Sequence, residues 1–160
     1  MISKQIRSIE EELKGRFRND YHKGLINLNY TTRQLGYEFI QTLKKHGITE
    51  PQYNVLRILR GFRSQVPLSI GFIKERMLDK DSDVSRIVDR LYEKGLLTRK
   101  ENPEDRRQKA VEITDKGLSL LDEMFSCEKK ADLQLTNLSE EEVRELSRLL
   151  DKIRNKKENK

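Results

Sequence analysis

Between residues 82 and 113, the spacing of the apolar residues changes from a helical period to a strand period. In the first part they recur at intervals of three and four, at Val84, Ile87, Val88 and Leu91. This spacing predicts an amphipathic helix over 82–94, which Gly95 ends. The alternating segments 97–100 and 110–113 then predict two strands, separated by a charged stretch that contains an Asn-Pro turn signal. We therefore expect a helix followed by a β-hairpin with a charged tip.

Two shorter helices are predicted before this helix. The first begins at Thr49, whose side chain can form a capping box with Gln52. The second begins at Ser69, and its apolar residues are Phe72, Ile73, Met77 and Leu78. Asp81 or Ser82 is expected to cap the helix that follows. The predicted elements therefore follow the order of a helix-turn-helix with a wing: two helices, a turn, a third helix and a hairpin.

Longer helices are predicted at both ends of the chain. One covers roughly 18–46, where apolar residues recur at helical intervals, and Gly47 ends it. After the hairpin, Thr114 can cap a helix, and Ser139 can form a capping box with Glu142. The expected fold is mainly α with a small β-hairpin wing (α+β), a winged helix-turn-helix between N- and C-terminal helices. The predicted domain boundaries are 1–47 for the N-terminal helical part, 48–115 for the winged helix-turn-helix and 116–160 for the C-terminal helices.

Positive charge is concentrated in the middle of the 160-residue chain. Residues 51–110 contain 14 Lys and Arg against 9 Asp and Glu, so this stretch carries +5 of the total net charge of +6. A concentrated positive field favours a polyanion over an acidic small molecule as the partner. A surface that is merely soluble is the alternative, which charge alone leaves open.

The predicted helix over 82–94 has a polar face suited to double-stranded DNA. Opposite its apolar stripe lie Ser82, Asp83, Ser85, Arg86, Asp89 and Arg90. The serine hydroxyls suit phosphates or base edges, and Arg86 can bind guanine through two hydrogen bonds or contact a phosphate. Arg90 can reach the DNA backbone or pair with Asp89 or Glu93. An ordinary solvated helix is the alternative.

The predicted hairpin tip adds a second cationic surface directly after the helix-turn-helix. Three cations close together, Arg106, Arg107 and Lys109, repel one another unless they are neutralised, and minor-groove phosphates would do so. Asp105 lies two residues before Arg107 and could hold that side chain in one pose. Together with Arg99 on the first strand, the candidate DNA contacts of the wing are Arg99, Asp105, Arg106, Arg107 and Lys109.

Four short motifs occur in order within residues 30–150. They are ITEPQY at 48–53, SDVSRIVDRLYEKGL at 82–96, NPEDRR at 102–107 and ITDKG at 113–117. These resemble, in turn, the start of the second helix, the recognition helix, the wing and the start of the fifth helix of the multiple-antibiotic-resistance regulator (MarR) family of bacterial transcription regulators. Any one motif could arise by chance, but the four together at these spacings carry the resemblance over nearly the whole chain.

The resemblance implies a homodimer that binds a pseudo-palindromic operator in double-stranded DNA and usually represses transcription. The first helix and the last two helices would interlock into a dimerisation domain. Their apolar stripes, which have no evident partner in a lone winged helix, agree with this. The two recognition helices would lie in successive major grooves about 10 bp apart. Asp105 would brace Arg107, and Arg107 would enter the minor groove.

The resemblance also implies an effector site, because aromatic carboxylates in this family often bind between the first helix and the DNA-binding lobe. Tyr21, His22 and Tyr30 are the candidates for a pocket that takes a small aromatic or amphipathic effector, although they could equally belong to the dimer core. Cys127 could be a peroxide sensor, as in some relatives. Its position near Met124 favours a buried structural role instead.

Other function classes lack the residues they need. His22 and His46 have no surrounding Cys or His, so we expect no metal or other cofactor. The sequence has no nucleophile elbow, phosphate-binding glycine loop or zinc-hydrolase helix, so we assign no catalytic residue. No apolar run approaches the roughly 18 residues that span a bilayer, and a single cysteine suits a reducing cytosol, so we expect a cytoplasmic protein without membrane contact. A winged helix that binds proteins rather than DNA is the alternative function.

Overall fold

The computed structural model describes residues 7–65, 67–101, 109–125, 129 and 133–155. Its helices are α1 (Ile9–Leu13), α2 (Asp20–Lys45), α3 (Glu50–Gly61), α4 (Ile70–Arg76), α5 (Val84–Glu93), α6 (Asp115–Glu123) and α7 (Glu140–Arg154). Its strands are β1 (Leu68–Ser69), β2 (Leu97–Glu101) and β3 (Lys109–Ile113). The expectation of a mainly helical fold with a small hairpin is confirmed. The chain divides into two compact units, residues 1–38 and 39–160, and α2 runs from the first into the second.

α3 forms the centre of the unit that comprises residues 39–160. Thr49 and Gln52 form the predicted capping box, with the Thr49 backbone nitrogen 3.1 Å from Gln52 Oε1. α3 packs against α4, α5, α6 and β3. The side chains that are almost completely buried in this core are Leu43, Val55, Leu56, Leu59, Ile73, Val88, Leu91, Leu97, Val111, Leu121 and Met124. One apolar core therefore holds the helix-turn-helix and the hairpin together.

The strands form an antiparallel sheet in the order β1, β3, β2. The predicted hairpin pairs Leu97 with Ile113, and β1 adds a third strand by placing Leu68 opposite Val111. The sequence pattern does not predict β1, because two residues cannot show an alternating period. Ser69 ends β1 and caps α4 as predicted, its hydroxyl accepting a backbone N–H of the first turn at 3.1 Å.

Two glycines end helices as predicted: Gly47 follows α2, and Gly95 follows α5. Gly47 has a φ of 67° and Gly95 a φ of 70°. These are left-handed values that glycine adopts without a Cβ clash. The residue after each glycine donates its N–H to the carbonyl five residues back, at 3.1 Å after Gly47 and 3.0 Å after Gly95. This bond closes the last turn of α2 and of α5.

The prediction that Leu78 belongs to the apolar face of α4 is wrong. The helix ends at Arg76, and Met77 is its buried C-cap. Leu78 lies beyond the helix with 79% of its surface exposed. Its backbone N–H donates to the side chain of Asn54 instead of to a helical carbonyl. The helix therefore stops earlier than the apolar spacing suggests.

α1 and the first part of α2 form the unit of residues 1–38. α1 begins at a capping box between Ser8 and Glu11. The apolar spacing does not predict this helix, because five residues show no clear period. Ile9 is buried, and Lys23 of α2 forms an ion pair with Glu10. The large apolar side chains that this part of α2 leaves exposed are Tyr21, Leu25, Leu28 and Tyr37.

α7 begins at the predicted capping box between Ser139 and Glu142. None of its side chains is buried. Leu149 and Ile153 lie four residues apart on one apolar stripe of α7, and they are 42% and 62% exposed. The stripe is therefore left at the surface of the single chain.

Candidate nucleic-acid interface

α5 separates a buried apolar face from an exposed polar face. Val84, Val88 and Leu91 are buried. Three residues predicted to contact DNA are exposed: Ser85, Arg86 and Arg90. The two arginines are one helical turn apart, so their side chains leave the same side of the helix. This is the orientation that a recognition helix requires, while the DNA contact itself stays a prediction.

Side-chain hydrogen bonds hold the N-terminus of α5. Asp83 is the N-cap, and its Oδ1 accepts the backbone N–H of Arg86 at 3.1 Å. The prediction of Asp81 or Ser82 as the cap is wrong by one or two residues. The Ser82 hydroxyl donates to Asp79 Oδ2 at 2.8 Å and so belongs to the preceding turn. Ser82 and Asp83 thus have structural roles at the helix start, and their contact with DNA stays a prediction.

Asn54 fixes the turn between α4 and α5. Its side chain lies in α3, is only 9% exposed, and accepts the backbone N–H of Leu78 at 2.9 Å. A buried amide is unfavourable unless it is hydrogen-bonded, so this contact accounts for a polar residue in the core. Asn54 is not among the residues predicted from the sequence. Its signal was a polar residue between the two apolar positions Tyr53 and Val55 in the middle of a helix.

Two lysines bind carbonyl groups at the C-terminal ends of α2 and α5. The ammonium of Lys94 donates a hydrogen bond to the carbonyl of Gly47. The ammonium of Lys116 in α6 donates to the carbonyl of Lys94 at 2.7 Å. Cations are favourable here because the last carbonyls of a helix carry its negative dipole end. A cavity of about 480 Å³ opens at this junction, beside His46 and Glu123. The lysines join the end of α5 to α2 and α6, the two helices that flank the helix-turn-helix and the hairpin.

The hairpin places Arg99 against α5. Its guanidinium forms an ion pair with Asp89, and its Cζ lies 4.5 Å from the ring centroid of Tyr92. Arg99 is one of the residues predicted to contact DNA; in the structure it pairs with a carboxylate of the protein, and its DNA contact stays a prediction. The other predicted wing contacts lie outside the described residues or, for the last of them, have no described side chain: Asp105, Arg106, Arg107 and Lys109.

The residues predicted for an effector pocket lie on α2 but on different faces. Tyr21 is 91% exposed, and the ring of half-buried His22 packs against Phe17 with centroids 5.8 Å apart. Tyr30 is nine residues after Tyr21 and so lies on the opposite side of the helix. Its hydroxyl donates to Glu12 at 3.3 Å, and its side chain lines a groove of about 620 Å³ between α1 and α2. The structure does not bring the three side chains to one surface.

Sites of other kinds are not evident in the described part of the chain. Its His, Cys, Asp and Glu side chains form no group of three or more that could hold a metal ion. None of its helices combines the length and the apolar character needed to cross a bilayer. Cys127 lies outside the described residues, so its structural role stays a prediction.

Known proteins resemble this chain over most of its length. The family model described as MarR family matches residues 48–109. The HTH-type transcriptional regulator MhqR of Bacillus subtilis (strain 168) is 31% identical over 132 residues, which cover 82% of this chain and 89% of that protein. The HTH-type transcriptional repressor MdtR of the same strain is 30% identical over 129 residues, covering 80% of this chain and 81% of that protein.

The same architecture occurs in a solved structure. The crystal structure of the S. aureus MepR–DNA complex is 23% identical and superposes with a TM-score of 0.72, covering 86% of this chain and 97% of that one. That similarity concerns the fold, whereas the sequence matches to the two regulators of Bacillus subtilis cover about four fifths of the chain. The chain therefore belongs to the MarR family of winged helix-turn-helix transcription regulators.

Proposed function

We propose that the protein binds a specific site in double-stranded DNA and represses transcription from it. The observation that carries the proposal is the exposed face of α5, where Ser85, Arg86 and Arg90 lie opposite the buried stripe. Such side chains can bind base edges and phosphates in a major groove. The excess positive charge of residues 51–110 adds an attraction to phosphates that does not depend on sequence. Because its family consists of transcription regulators, the protein is not an enzyme.

The relatives support both parts of the proposal. MepR was crystallised with DNA, which supports duplex DNA as the partner of the shared fold. MdtR is named a repressor, which supports repression as the direction of regulation. We place the protein in the cytoplasm, where a regulator of this kind reaches its DNA.

We propose that the active form is a homodimer. Exposed apolar side chains on two helices support this: Tyr21 and Leu25 on α2, and Leu149 and Ile153 on α7. A second copy would remove these side chains from water, as obligate interfaces do. In this arrangement 1–47 and 116–160 form the dimerisation domain, and 48–115 binds DNA. A two-fold axis would then set the two α5 helices in major grooves about 10 bp apart.

The wing and an effector complete the proposal. Arg106 and Arg107 would reach the minor groove, with Asp105 bracing Arg107 and Lys109 near the backbone. A small aromatic or amphipathic effector would cause the protein to release the DNA. The groove between α1 and α2, which Tyr30 lines, supports an effector site there. Such a molecule shifts the dimer between two states only if it binds one of them more tightly.

The DNA part is tested by fluorescence anisotropy with a pool of random duplexes at about 50 and 200 mM salt, followed by sequencing of the bound fraction. We expect a palindrome with half-sites about 10 bp apart to be enriched. We also expect affinity to fall by roughly 10³- to 10⁵-fold between the two salts if 6–10 phosphates are contacted. Arg107→Ala should weaken binding to the enriched site. Absence of binding at both salts, or binding without an enriched site, would favour a protein-interaction module.

The dimer is tested by light scattering of the purified protein. Wild type should have twice the 19.0 kDa mass of the chain. Leu149→Glu and Ile153→Glu should shift the protein toward monomer, because each sets a charge in the apolar stripe. Arg144→Glu on the opposite side of α7 is the matched control and should stay dimeric. A wild type that runs as a monomer at micromolar concentration would overturn this part of the proposal.

A further inference from the structure

We infer that Arg99 is a positioning residue, which holds the wing against the recognition helix α5, and that it does not contact DNA. The inference rests on the proposed function, since the geometry that Arg99 maintains is that of the DNA-binding surface. The structural basis is a clasp between β2 and α5, defined by Arg99, Asp89 and Tyr92. Nothing in the sequence pattern links these three residues to one another.

Two groups on α5 fix the guanidinium of Arg99. Asp89 and Tyr92 are three residues apart and are therefore neighbours on one side of the helix. The carboxylate of Asp89 pairs with one edge of the guanidinium, and the ring of Tyr92 lies 4.5 Å from its Cζ. The side chains of Arg99 and Asp89 are 32% and 46% exposed, so the pair is partly withdrawn from water. Such a pair is held more firmly than the fully exposed ion pairs of the protein surface.

The clasp changes what Arg99 can contribute to DNA binding. A protein gains affinity from a phosphate contact by releasing condensed cations, in proportion to the charges that it neutralises. The Arg99 guanidinium and the Asp89 carboxylate together carry no net charge, so the pair as a whole releases few condensed cations. If Arg99 left Asp89 for a phosphate, a carboxylate without that partner would lie on the helix that faces the DNA. The repulsion between that carboxylate and the phosphates would oppose the exchange.

The clasp also accounts for how α5 and the wing can be held at a fixed distance from each other while they contact two grooves of the DNA. In a winged helix, the recognition helix lies in the major groove while the wing reaches along the duplex. The distance between these two elements must match the DNA. Outside the apolar core, the Arg99 side chain of β2 binds the polar side of α5. Its loss should leave the wing attached but less well oriented.

The test measures affinity of the full-length protein for the enriched duplex across a range of salt concentrations. Arg99→Gln should weaken binding by about tenfold, the size of a typical interaction between neighbouring residues, without changing the salt slope. Asp89→Asn should also weaken binding, although it removes a negative charge. The matched control is Glu93→Gln, which removes a negative charge one turn further along α5 and should not weaken binding. Arg90→Gln should lower the slope by about 0.9 for each lost phosphate contact.

Two results would overturn the inference. The first is a lower salt slope for Arg99→Gln, as for Arg90→Gln, because this would make Arg99 a phosphate contact. The second is tighter binding by Asp89→Asn, because this would make the carboxylate a simple repulsive charge.

A second measurement needs no DNA and separates this inference from the proposed function. The measurement is a double-mutant cycle in which the Tm of each variant is determined by thermal unfolding. Arg99→Gln should lower the Tm clearly less in the Asp89→Asn background than in wild type, because the ion pair can be lost only once. Equal losses in both backgrounds would show that the clasp does not exist. If wild type bound no duplex at all, the proposed function would fail, and this cycle would still decide whether Asp89 holds Arg99.

Discussion

The side-chain oxygen of Asn54 in α3 lies 2.9 Å from the backbone nitrogen of Leu78, 24 residues later in the chain. Leu78 follows the end of α4 and has no helical carbonyl for its N–H. The bond therefore joins the turn of the helix-turn-helix to the helix at the centre of the core. Because α5 begins six residues after Leu78, the placement of the recognition helix depends on this contact.

Asn54→Ala should destabilise the protein. It removes the acceptor of a partly buried N–H and should lower the free energy of unfolding by about 1–3 kcal/mol, measured by urea denaturation. The control is Lys74→Ala on the exposed surface of α4, which should stay within about 0.5 kcal/mol of wild type. Equal stability of the two variants would contradict the role of Asn54. Folded Asn54→Ala should also bind the enriched duplex more weakly.

Gly117→Ala should destabilise the start of α6. A Cβ at Gly117 would lie 2.2 Å from the carbonyl oxygen of Leu96 and 2.8 Å from Cγ1 of Ile113. Since the first of these atoms is backbone, the helix itself must move, and we expect a loss of about 1–3 kcal/mol in urea denaturation. Gly61→Ala is the matched control, because nothing lies within 4 Å of the added carbon. A Gly117→Ala variant as stable as this control would refute the close packing of α6 on Leu96.

Substitutions of Arg86 and Arg90 should weaken DNA binding in different ways. If Arg86 binds guanine, Arg86→Ala should cost about 1–3 kcal/mol on the enriched duplex and relax the base preference at one position. Arg90→Ala should weaken enriched and random duplexes alike and reduce the salt slope. Competition anisotropy with both duplexes distinguishes the two results. Arg144→Ala in α7, where Arg144 pairs with Glu140, should leave both affinities unchanged. Indistinguishable profiles for the two α5 variants would argue against separate roles.

The contact between α1 and α2 should weaken in acid. A hydrogen bond from Lys23 lowers the pKa of the Glu10 carboxyl below its ordinary value of 4.5. A group whose pKa is lowered by folding stabilises the folded state above its unfolded pKa, and this contribution is lost as the pH falls through the folded pKa. We expect the methyl signals of buried Ile9 to shift toward exposed positions as the pH falls below 4.5, while those of Val55 in the core do not.

Two variants check the assignment to Glu10. Glu10→Gln should show the exposed Ile9 signals already at pH 6, since the amide cannot pair with Lys23 as an anion. Glu141→Gln, at an exposed position in α7, should titrate like wild type. An Ile9 signal that keeps its acid transition in Glu10→Gln would assign the transition to another group.

The sequence alone determined the features that depend on residues close together in the chain. The capping boxes at Thr49 and Ser139 are bonds between residues three apart, and they formed where predicted. The stops at Gly47 and Gly95 depend on the freedom of one residue to adopt a positive φ. The apolar periods of α5 and of the hairpin follow from which side of each element faces the core. These local features, read in order, were enough to predict a winged helix-turn-helix.

Only the tertiary structure decided which distant residues meet. β1 exists because Val111 offers a free strand edge to Leu68, and a two-residue strand has no pattern of its own. The partners of Asn54 and Arg99 depend on how α3, α5 and the hairpin pack around a shared core. A polar side chain can bond to any complementary group within reach. Packing sets which group that is, and the spacing of residues along the chain contains no record of it.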